Sequence, residues 1–470
     1  MKMPERMSAV DRAWLLMERP TNPMLVVGLL VLRDVLSHAR LRAIVTKRFL
    51  AFERFRSVPV MDTLSASWAP ASQFNVDDHV LRVALPTPAG KRELEGLAGE
   101  LASTPLHAGR PLWTFHLVEH YRGGSAIIVR IHHCYADGIA LVHVLMRLAD
   151  GESGGAATPP VTDGPAAVNV RPEHPGTSFI PELLSQTFRA GTAIVDQGIH
   201  YALHPLEAAT AARGALELAA EAAHLSLGLE DDPQTRLKES LTGSRRVAWA
   251  EPLLLEEVRT VSVLLGCTIN DVLVATLAGA LGRYLDSHGD QTVGLSIRAA
   301  VPVNMRPEGD VPLELGNRFG LVFVDLPVGI RDPLKRLWTV HSNMQALKGS
   351  AQASVTLEVL SLLGTLPAAV EEPAMQLFSA KASLVASNLR GPQQPLSIGG
   401  VPISQLLFWV PQAGDIGTGV SMLTYAGDVQ FGVIADRHLI ADPDELVEMM
   451  GTEFDRLVYL VLLAGGSNLA

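Results

Sequence analysis

Two histidines, a cysteine and an aspartate fall within the run HHCYADG, His132 to Gly138. A neutral imidazole, with an unperturbed pKa of about 6.5, can take a proton near neutrality and return it later. Asp137 suits fixing the loop or pairing with an arginine, and Gly138 permits a tight turn into whatever follows. Three other readings compete for these residues. A metal site needs both histidines and a carboxylate on one ion, yet neighbouring strand side chains diverge. A Cys134 nucleophile with His133 as its base meets the same objection. Both histidines serving as hydrogen-bonded scaffold is the bland alternative, and the sequence leaves it open.

The elements around the run decide what it can do. SAIIVRI, Ser125 to Ile131, reads as an apolar strand leading into it, and IALVHVLMRLAD reads as a helix leaving it. Side chains alternate along a strand, so one histidine can face a pocket while the other returns to the scaffold. HLVEH, His116 to His120, matches a zinc-peptidase pattern, but that chemistry needs a helix and the alternation from Trp113 to Glu119 predicts a strand. GDIGTG, Gly414 to Gly419, lacks the lysine of a phosphate loop and the spacing of a dinucleotide fingerprint.

The 470 residues bound the rest. They are 48% hydrophobic and 19% charged, enough apolar material for a large core and against wholesale disorder. A net charge of −11 argues against a nucleic-acid partner. Two cysteines, Cys134 and Cys267, give no disulfide framework and fit a reducing compartment. The opening twenty residues carry both charge signs without an apolar core, so no secretory signal is expected and a cytoplasmic location is. Mean hydropathy is +0.22, yet the charge-free stretch Gly391 to Gly414 is broken by proline and glycine and predicts strands and turns, not a span. The Ala-rich run from Phe179 to Leu229 and the terminal LVYLVLLAG after Arg456 are amphipathic and could lie on a lipid surface or pack on the protein's own core.

The Gly/Pro-rich GESGGAATPPVTDGP that begins at Gly151 marks a boundary. We divide the chain into 1–150, a mixed α/β domain carrying the histidine run; 151–240, a linker and helical connector; and 241–470, a second mixed domain. Strands are expected at Met24 to Leu32, Trp113 to Glu119, Thr292 to Asn304, Arg318 to Val328 and Asp428 to Asp436. Helices are expected at Lys91 to Ser103, Leu253 to Leu265 and Asn270 to Leu285. No repeat of fixed period is present, which disfavours solenoids and propellers.

HHxxxDG at His132, His133, Asp137 and Gly138 is followed and preceded by further short motifs in a fixed order. These are Pro111-Leu112-Trp113, Asn270-Asp271, PVNMRP (Pro302 to Pro307), GNRFG (Gly316 to Gly320) and SNLRGP (Ser387 to Pro392). In this order they resemble, nearly end to end, the bacterial wax ester synthase/acyl-CoA:diacylglycerol acyltransferases of the CoA-dependent acyltransferase superfamily. The chain departs from the usual pattern at Leu389-Arg390, at Leu25-Val26, where a histidine is missing, and at Leu106-His107.

The resemblance implies an α/β (α+β) fold of two similar acyltransferase-like domains, each a mixed sheet flanked by helices, with a tunnel between them. It implies transfer of a fatty acyl group from acyl-CoA to a long-chain alcohol or diacylglycerol. His133 would be the general base, with His132 and Asp137 also at the catalytic centre and no metal or cofactor beyond acyl-CoA as substrate. Gly138, Asn270, Asp271 and Arg56 would support the site; Arg56 would pair with Asp137, while Asn270 and Asp271 read equally as a helix cap and first-turn acid. Arg298, Arg306, Arg318 and Arg390 would be the cations for CoA phosphates. Another acceptor, as in condensation domains, or a non-catalytic lipid-binding scaffold are the alternatives. Lipid products imply peripheral contact with the inner membrane or lipid droplets.

Overall fold

The computed structural model of this chain describes residues 5–62, 65–150, 229–306, 315–348, 350, 352–365 and 371–466. In the first half the strands are β1 (Glu5–Arg6), β2 (Leu25–Leu32), β3 (Ser57–Met61), β4 (Ala66–Pro70), β5 (Val80–Val83), β6 (Trp113–Tyr121) and β7 (Gly124–His132). Its helices are α1 (Ala9–Leu16), α2 (His38–Ile44), α3 (Lys91–Ser103) and α4 (Gly138–Leu148). The second half adds β8 (Arg245–Trp249), β9 (Leu253–Leu254), β10 (Ile297–Asn304), β11 (Phe319–Leu326), β12 (Leu384–Arg390), β13 (Ser397–Ile398), β14 (Val401–Trp409), β15 (Thr418–Tyr425) and β16 (Asp428–Asp436). With them come helices α5 (Leu255–Leu264), α6 (Ile269–Ser287), α7 (Pro333–Leu347), α8 (Gln352–Leu363), α9 (Glu371–Ala380) and α10 (Pro443–Gly466).

The strands form two large mixed sheets and one small sheet. The first large sheet runs β13-β14-β2-β7-β6-β5, with only β5 and β6 parallel. The second runs β11-β10-β12-β15-β16-β8, with β12 parallel to both its neighbours and β9 added on β16. The small sheet is β1-β4-β3. β14 belongs by sequence to the second half, yet it pairs antiparallel with β2 from Ile403–Leu32 to Trp409–Val27. The 241–470 segment therefore supplies two strands of the first sheet. The near-continuous apolar run of β2, LVVGLLVL, follows from this placement, because a central strand covered on both faces has no solvent side to mark.

Helices cover both sheets for ordinary reasons of pattern. α3 repeats apolar residues at Leu94, Ala98 and Ala102, which bury against β2, β7 and the Trp249 and Trp409 rings. α6 is buried almost all round, and its small residues let partners come close. A Cβ at Gly282 would lie 2.2 Å from the Val328 carbonyl oxygen. Among the described residues no single helix is long and apolar enough to cross a membrane. Of the two amphipathic segments, Phe179 to Leu229 lies outside the described residues but for Leu229, and LVYLVLLAG forms the end of α10.

Candidate active site

β7 brings His132 to its last position, and the chain turns immediately. The His132 N–H donates to the Leu112 carbonyl at 3.0 Å and the His133 N–H to the Met24 carbonyl at 2.8 Å, so both peptides are held by the residues that lead into β6 and β2. Their rings then diverge. His132 is wholly buried; its Nδ1 accepts the Cys134 N–H at 3.1 Å, which places the ring proton on Nε2, 3.7 Å from the Glu18 carboxylate. Burial pushes its pKa down to about 3, helped by His133. Of the two histidines named from sequence, His132 is the one returned to the scaffold.

His133 faces the other way, into a cavity. Its ring stacks on Trp14 of α1, with centroids 4.4 Å apart and planes 24° apart, and lies 5.6 Å from the Phe319 ring. Burial lowers its pKa to about 4, against the opposing pull of Asp137, its own carbonyl and Asn317. The imidazole is therefore neutral at pH 7, the form that can accept a proton. Cys134 is buried and burial drives its thiol well above its ordinary pKa, which removes the thiolate a nucleophile would need.

The cavity is built from both halves, and the strand period explains its lining. Three adjacent strands each send alternate residues into it: Ala300, Pro302 and Asn304 of β10, Phe319, Leu321 and Phe323 of β11, and Val385, Ser387 and Leu389 of β12. The first half adds Trp14, Val26 and His133, and β14 adds Phe408. The surface is mostly apolar, with Asp137, Asn304, Ser379 and Ser387 among its polar points. An apolar chamber with one convergent base fits a fatty substrate.

Asp137 organises the wall beside His133. Its Oδ1 caps α4 by accepting the Ala140 N–H at 3.0 Å, and its Oδ2 accepts the Arg318 N–H at 3.0 Å. Its cation is Arg306 of PVNMRP, 2.7 Å away, with both side chains buried. The expected pair between Arg56 and Asp137 is thus corrected. Arg56 ends the short turn Glu53–Arg56, in which Phe55 takes the buried position and Arg56 is left exposed. Arg54, two residues earlier, is the one that turns inward, donating to the Leu315 carbonyl at 2.7 Å.

Gly138 has a local reason to be glycine, since a Cβ there would stand 2.7 Å from Leu389 Cδ1. Asn270 and Asp271 do not line the cavity. The cap of α6 is Thr268, whose Oγ1 accepts the Asp271 N–H at 3.1 Å while Asp271 Oδ2 accepts the Thr268 N–H at 2.9 Å. Asp271 also meets His341 Nδ1 at 2.8 Å, and Asn270 Oδ1 accepts from Asn388 Nδ2 at 2.9 Å. These bonds tie the Asn-Asp motif to α7 and to SNLRGP. Pro111-Leu112-Trp113 is packing: Trp113 is fully buried and its Nε1–H donates to the Phe55 carbonyl at 2.8 Å. HLVEH lies within strand β6, as its alternation predicts.

The four arginines assigned to CoA divide evenly. Arg306 is spent on Asp137, and Arg298 is spent on Asp325 at 3.2 Å and on the Glu230 and Lys381 carbonyls. Arg318 and Arg390 are exposed. Sequence reasoning passed over Trp14, Asp11 and Asn317. GNRFG was the available signal for Asn317, whose buried side chain joins α1 to the His133 peptide.

The profile of the wax ester synthase/diacylglycerol acyltransferase catalytic domain matches residues 7–273, and that of the WS/DGAT C-terminal domain matches 315–458. The chain belongs to this family. This WS/DGAT family member is an acyltransferase. It is 30% identical over 415 residues to a Mycobacterium tuberculosis protein named as a diacylglycerol O-acyltransferase, covering 86% of this chain and 84% of that one. A second protein of that organism bearing the same activity name is 27% identical over 482 residues, covering 96% and 91%. Among solved structures, the wax ester synthase/diacylglycerol acyltransferase of Marinobacter aquaeolei superposes with a TM-score of 0.68 at 21% identity, over 97% of this chain and 99% of that one. The first condensation domain of the calcium-dependent antibiotic synthetase superposes at 0.58 and 14% identity, over 98% and 96%. Both likenesses establish the fold: two mixed sheets flanked by helices.

Proposed function

We propose that this enzyme moves a fatty acyl group from acyl-CoA to the hydroxyl of diacylglycerol or a long-chain alcohol, with His133 Nε2 as general base. One observation carries the reading: a neutral imidazole on the wall of an apolar cavity that both halves build. Nε2 takes the hydroxyl proton as the alcohol oxygen bonds to the thioester carbonyl carbon. The carbonyl electron pair moves onto its oxygen, then reforms the double bond as the C–S bond breaks. The departing CoA thiolate takes the proton back from the imidazolium, leaving ester, CoA and a neutral His133.

Asn304, Ser379 and Ser387 are the neutral polar groups on the wall contributed by the second half, and the Ser379 hydroxyl is already donated to the Gln376 carbonyl at 3.1 Å. The Asn304 carbonyl oxygen is already taken by the Arg306 N–H at 3.1 Å, so its amide hydrogens are left to donate to the developing oxyanion. Arg318 and Arg390 follow from the same layout as the cations for CoA phosphates. Each is exposed and adjoins a residue of the cavity wall, Phe319 and Leu389. The end of α10 exposes Tyr459, Leu462 and Leu463 at 66%, 63% and 73%, a surface suited to resting on a cytoplasmic membrane face or lipid droplet while apolar substrate enters.

Purified protein incubated with labelled palmitoyl-CoA and a panel of diacylglycerol, fatty alcohols and amines tests the reading directly. Ester should form with the hydroxyl acceptors, and His133→Ala should reduce its rate by roughly 10²–10⁴, the usual worth of a general base. A His133→Ala variant that makes ester at the unaltered rate sinks the mechanism, and amide as the main product would replace the acceptor class.

A further inference from the structure

A base that takes a proton inside an apolar cavity acquires a charge away from water, and something has to answer that charge. The carboxylates around His133 are engaged elsewhere. Asp137 Oδ1 accepts the Ala140 N–H, its Oδ2 accepts the Arg318 N–H, and Arg306 stands 2.7 Å away. Asp137 therefore acts on the imidazole only through space, with a buried guanidinium offsetting it. Asp11 accepts from the Asn317 N–H and Nδ2 and lies 3.7 Å from the Arg54 guanidinium, while Glu18 meets His132 at 3.7 Å. Among the described residues none of these carboxylates hydrogen-bonds the His133 ring.

What the ring does meet is an aromatic face. The Trp14 indole lies 4.4 Å from it, centroid to centroid, with the planes only 24° apart, so the imidazole sits over the indole π cloud. A cation within about 6 Å of a ring centroid is attracted to that cloud, and indole is the strongest of the three aromatic faces. Phe319 lies farther off at 5.6 Å and is tilted by 53°. The indole is also held in place. It is buried, Phe319 stacks on it at 5.5 Å, and α1, which carries it, is capped by Ser8, whose Oγ accepts the Asp11 N–H at 3.0 Å. Asn317 Nδ2 donates to Asp11 Oδ1 and to the His133 carbonyl at 2.8 Å each, so one amide ties the helix of Trp14 to the peptide of His133. We propose that the indole face of Trp14 is the counter-charge of the His133 imidazolium, a positioning residue whose π electrons are in place before the proton arrives. The proposal rests on the reading of His133 as the base. The attraction grows as Nε2 takes the hydroxyl proton and fades when the CoA thiolate takes it back. It is stronger in the transition state than with bound substrates, and that difference is what accelerates the reaction. An aromatic ring here does the electrostatic work that a carboxylate does for a triad histidine.

Fluorine drains the π cloud of an indole while barely changing its size, so a fluorinated series separates charge stabilisation from packing. Tryptophan bearing one, two or three ring fluorines is placed at position 14 alone of the full-length protein by stop-codon suppression. The single-turnover rate of ester formation from palmitoyl-CoA and diacylglycerol is then measured with enzyme in excess. The logarithm of that rate should fall in step with the number of fluorines, by roughly tenfold over the series, the scale of a desolvated cation–π contact. Trp14→Phe should keep more of the rate than Trp14→Leu, because it keeps a face for the cation. A rate that is flat across the series overturns the proposal, and so does a Trp14→Leu variant as fast as Trp14→Phe. If Trp14→Leu does not fold, the fluorinated series alone decides. A flat series beside an inactive His133→Ala removes Trp14 and leaves the base standing, whereas an active His133→Ala sinks the base itself, so the two failures are distinguishable.

Discussion

Three of the buried histidines in the first half are held in the neutral form: His132 at a pKa of about 3, His133 at about 4 and His116 at about 4, each lowered chiefly by desolvation. In the unfolded chain each takes a proton near pH 6.5. Below that value the unfolded state binds more protons than the native one, so stability is complete above about 6.5 and falls as the pH drops toward 4. The slope is roughly 1.4 kcal/mol per pH unit for each histidine. Denaturant melts across this window should show the loss, and the acid limb of kcat/KM should sit near 4, well below that of a free imidazole. A limb near 6.5 would mean that the base is solvated. The histidine motif and its apolar strand were readable in the sequence, because strand alternation is a local property. The choice between the two rings was not, because it depends on Trp14 from another element and on the carbonyls of Leu112 and Met24.

An ion pair joins Asp137, the cap of α4, to Arg306, just beyond the end of β10. Removing the cation alone strands a buried carboxylate, a change that typically costs about 3–5 kcal/mol. Arg306→Ala should therefore lower the urea midpoint sharply, whereas Arg56→Ala should leave it almost unaltered; equal effects would contradict the pairing. Arg56 was favoured by the family resemblance alone. What defeats that match is one short turn, which seats Phe55 in the core and sends Arg56 outward. Helix and strand spans were more legible. Lys91–Ser103 and Asp428–Asp436 form as their periodicity predicts, while the α6 cap moves from Asn270 to Thr268 because the reciprocal Thr268–Asp271 bonds win. Leu389 shows what a departure from a family pattern does at this scale. Its side chain lines the cavity and fills the space left by the missing Cβ of Gly138.

Across the molecule, charge and apolar surface are arranged for different partners. The net charge of −11 gives no general attraction to anionic lipid, so the proposed bilayer contact would come from apolar residues. Leu462→Glu with Leu463→Glu should reduce co-sedimentation with phosphatidylcholine vesicles and leave turnover of detergent-dispersed substrate intact. Unchanged sedimentation would remove the end of α10 from that role. The mixed α/β character of both halves was visible in the alternation of strands and helices, and the family resemblance implied a sheet in each, but the exchange of β14 into the first sheet was not legible, since nothing in an apolar strand names its partner. That exchange bears on how the polypeptide is made. A ribosome that has delivered everything up to Arg390 holds a nascent chain whose β2 rim is open and uniformly greasy, the kind of edge that recruits other chains. Until the last stretch emerges that rim has no strand to cover it, and a first half expressed alone, cut in the linker, leaves it bare.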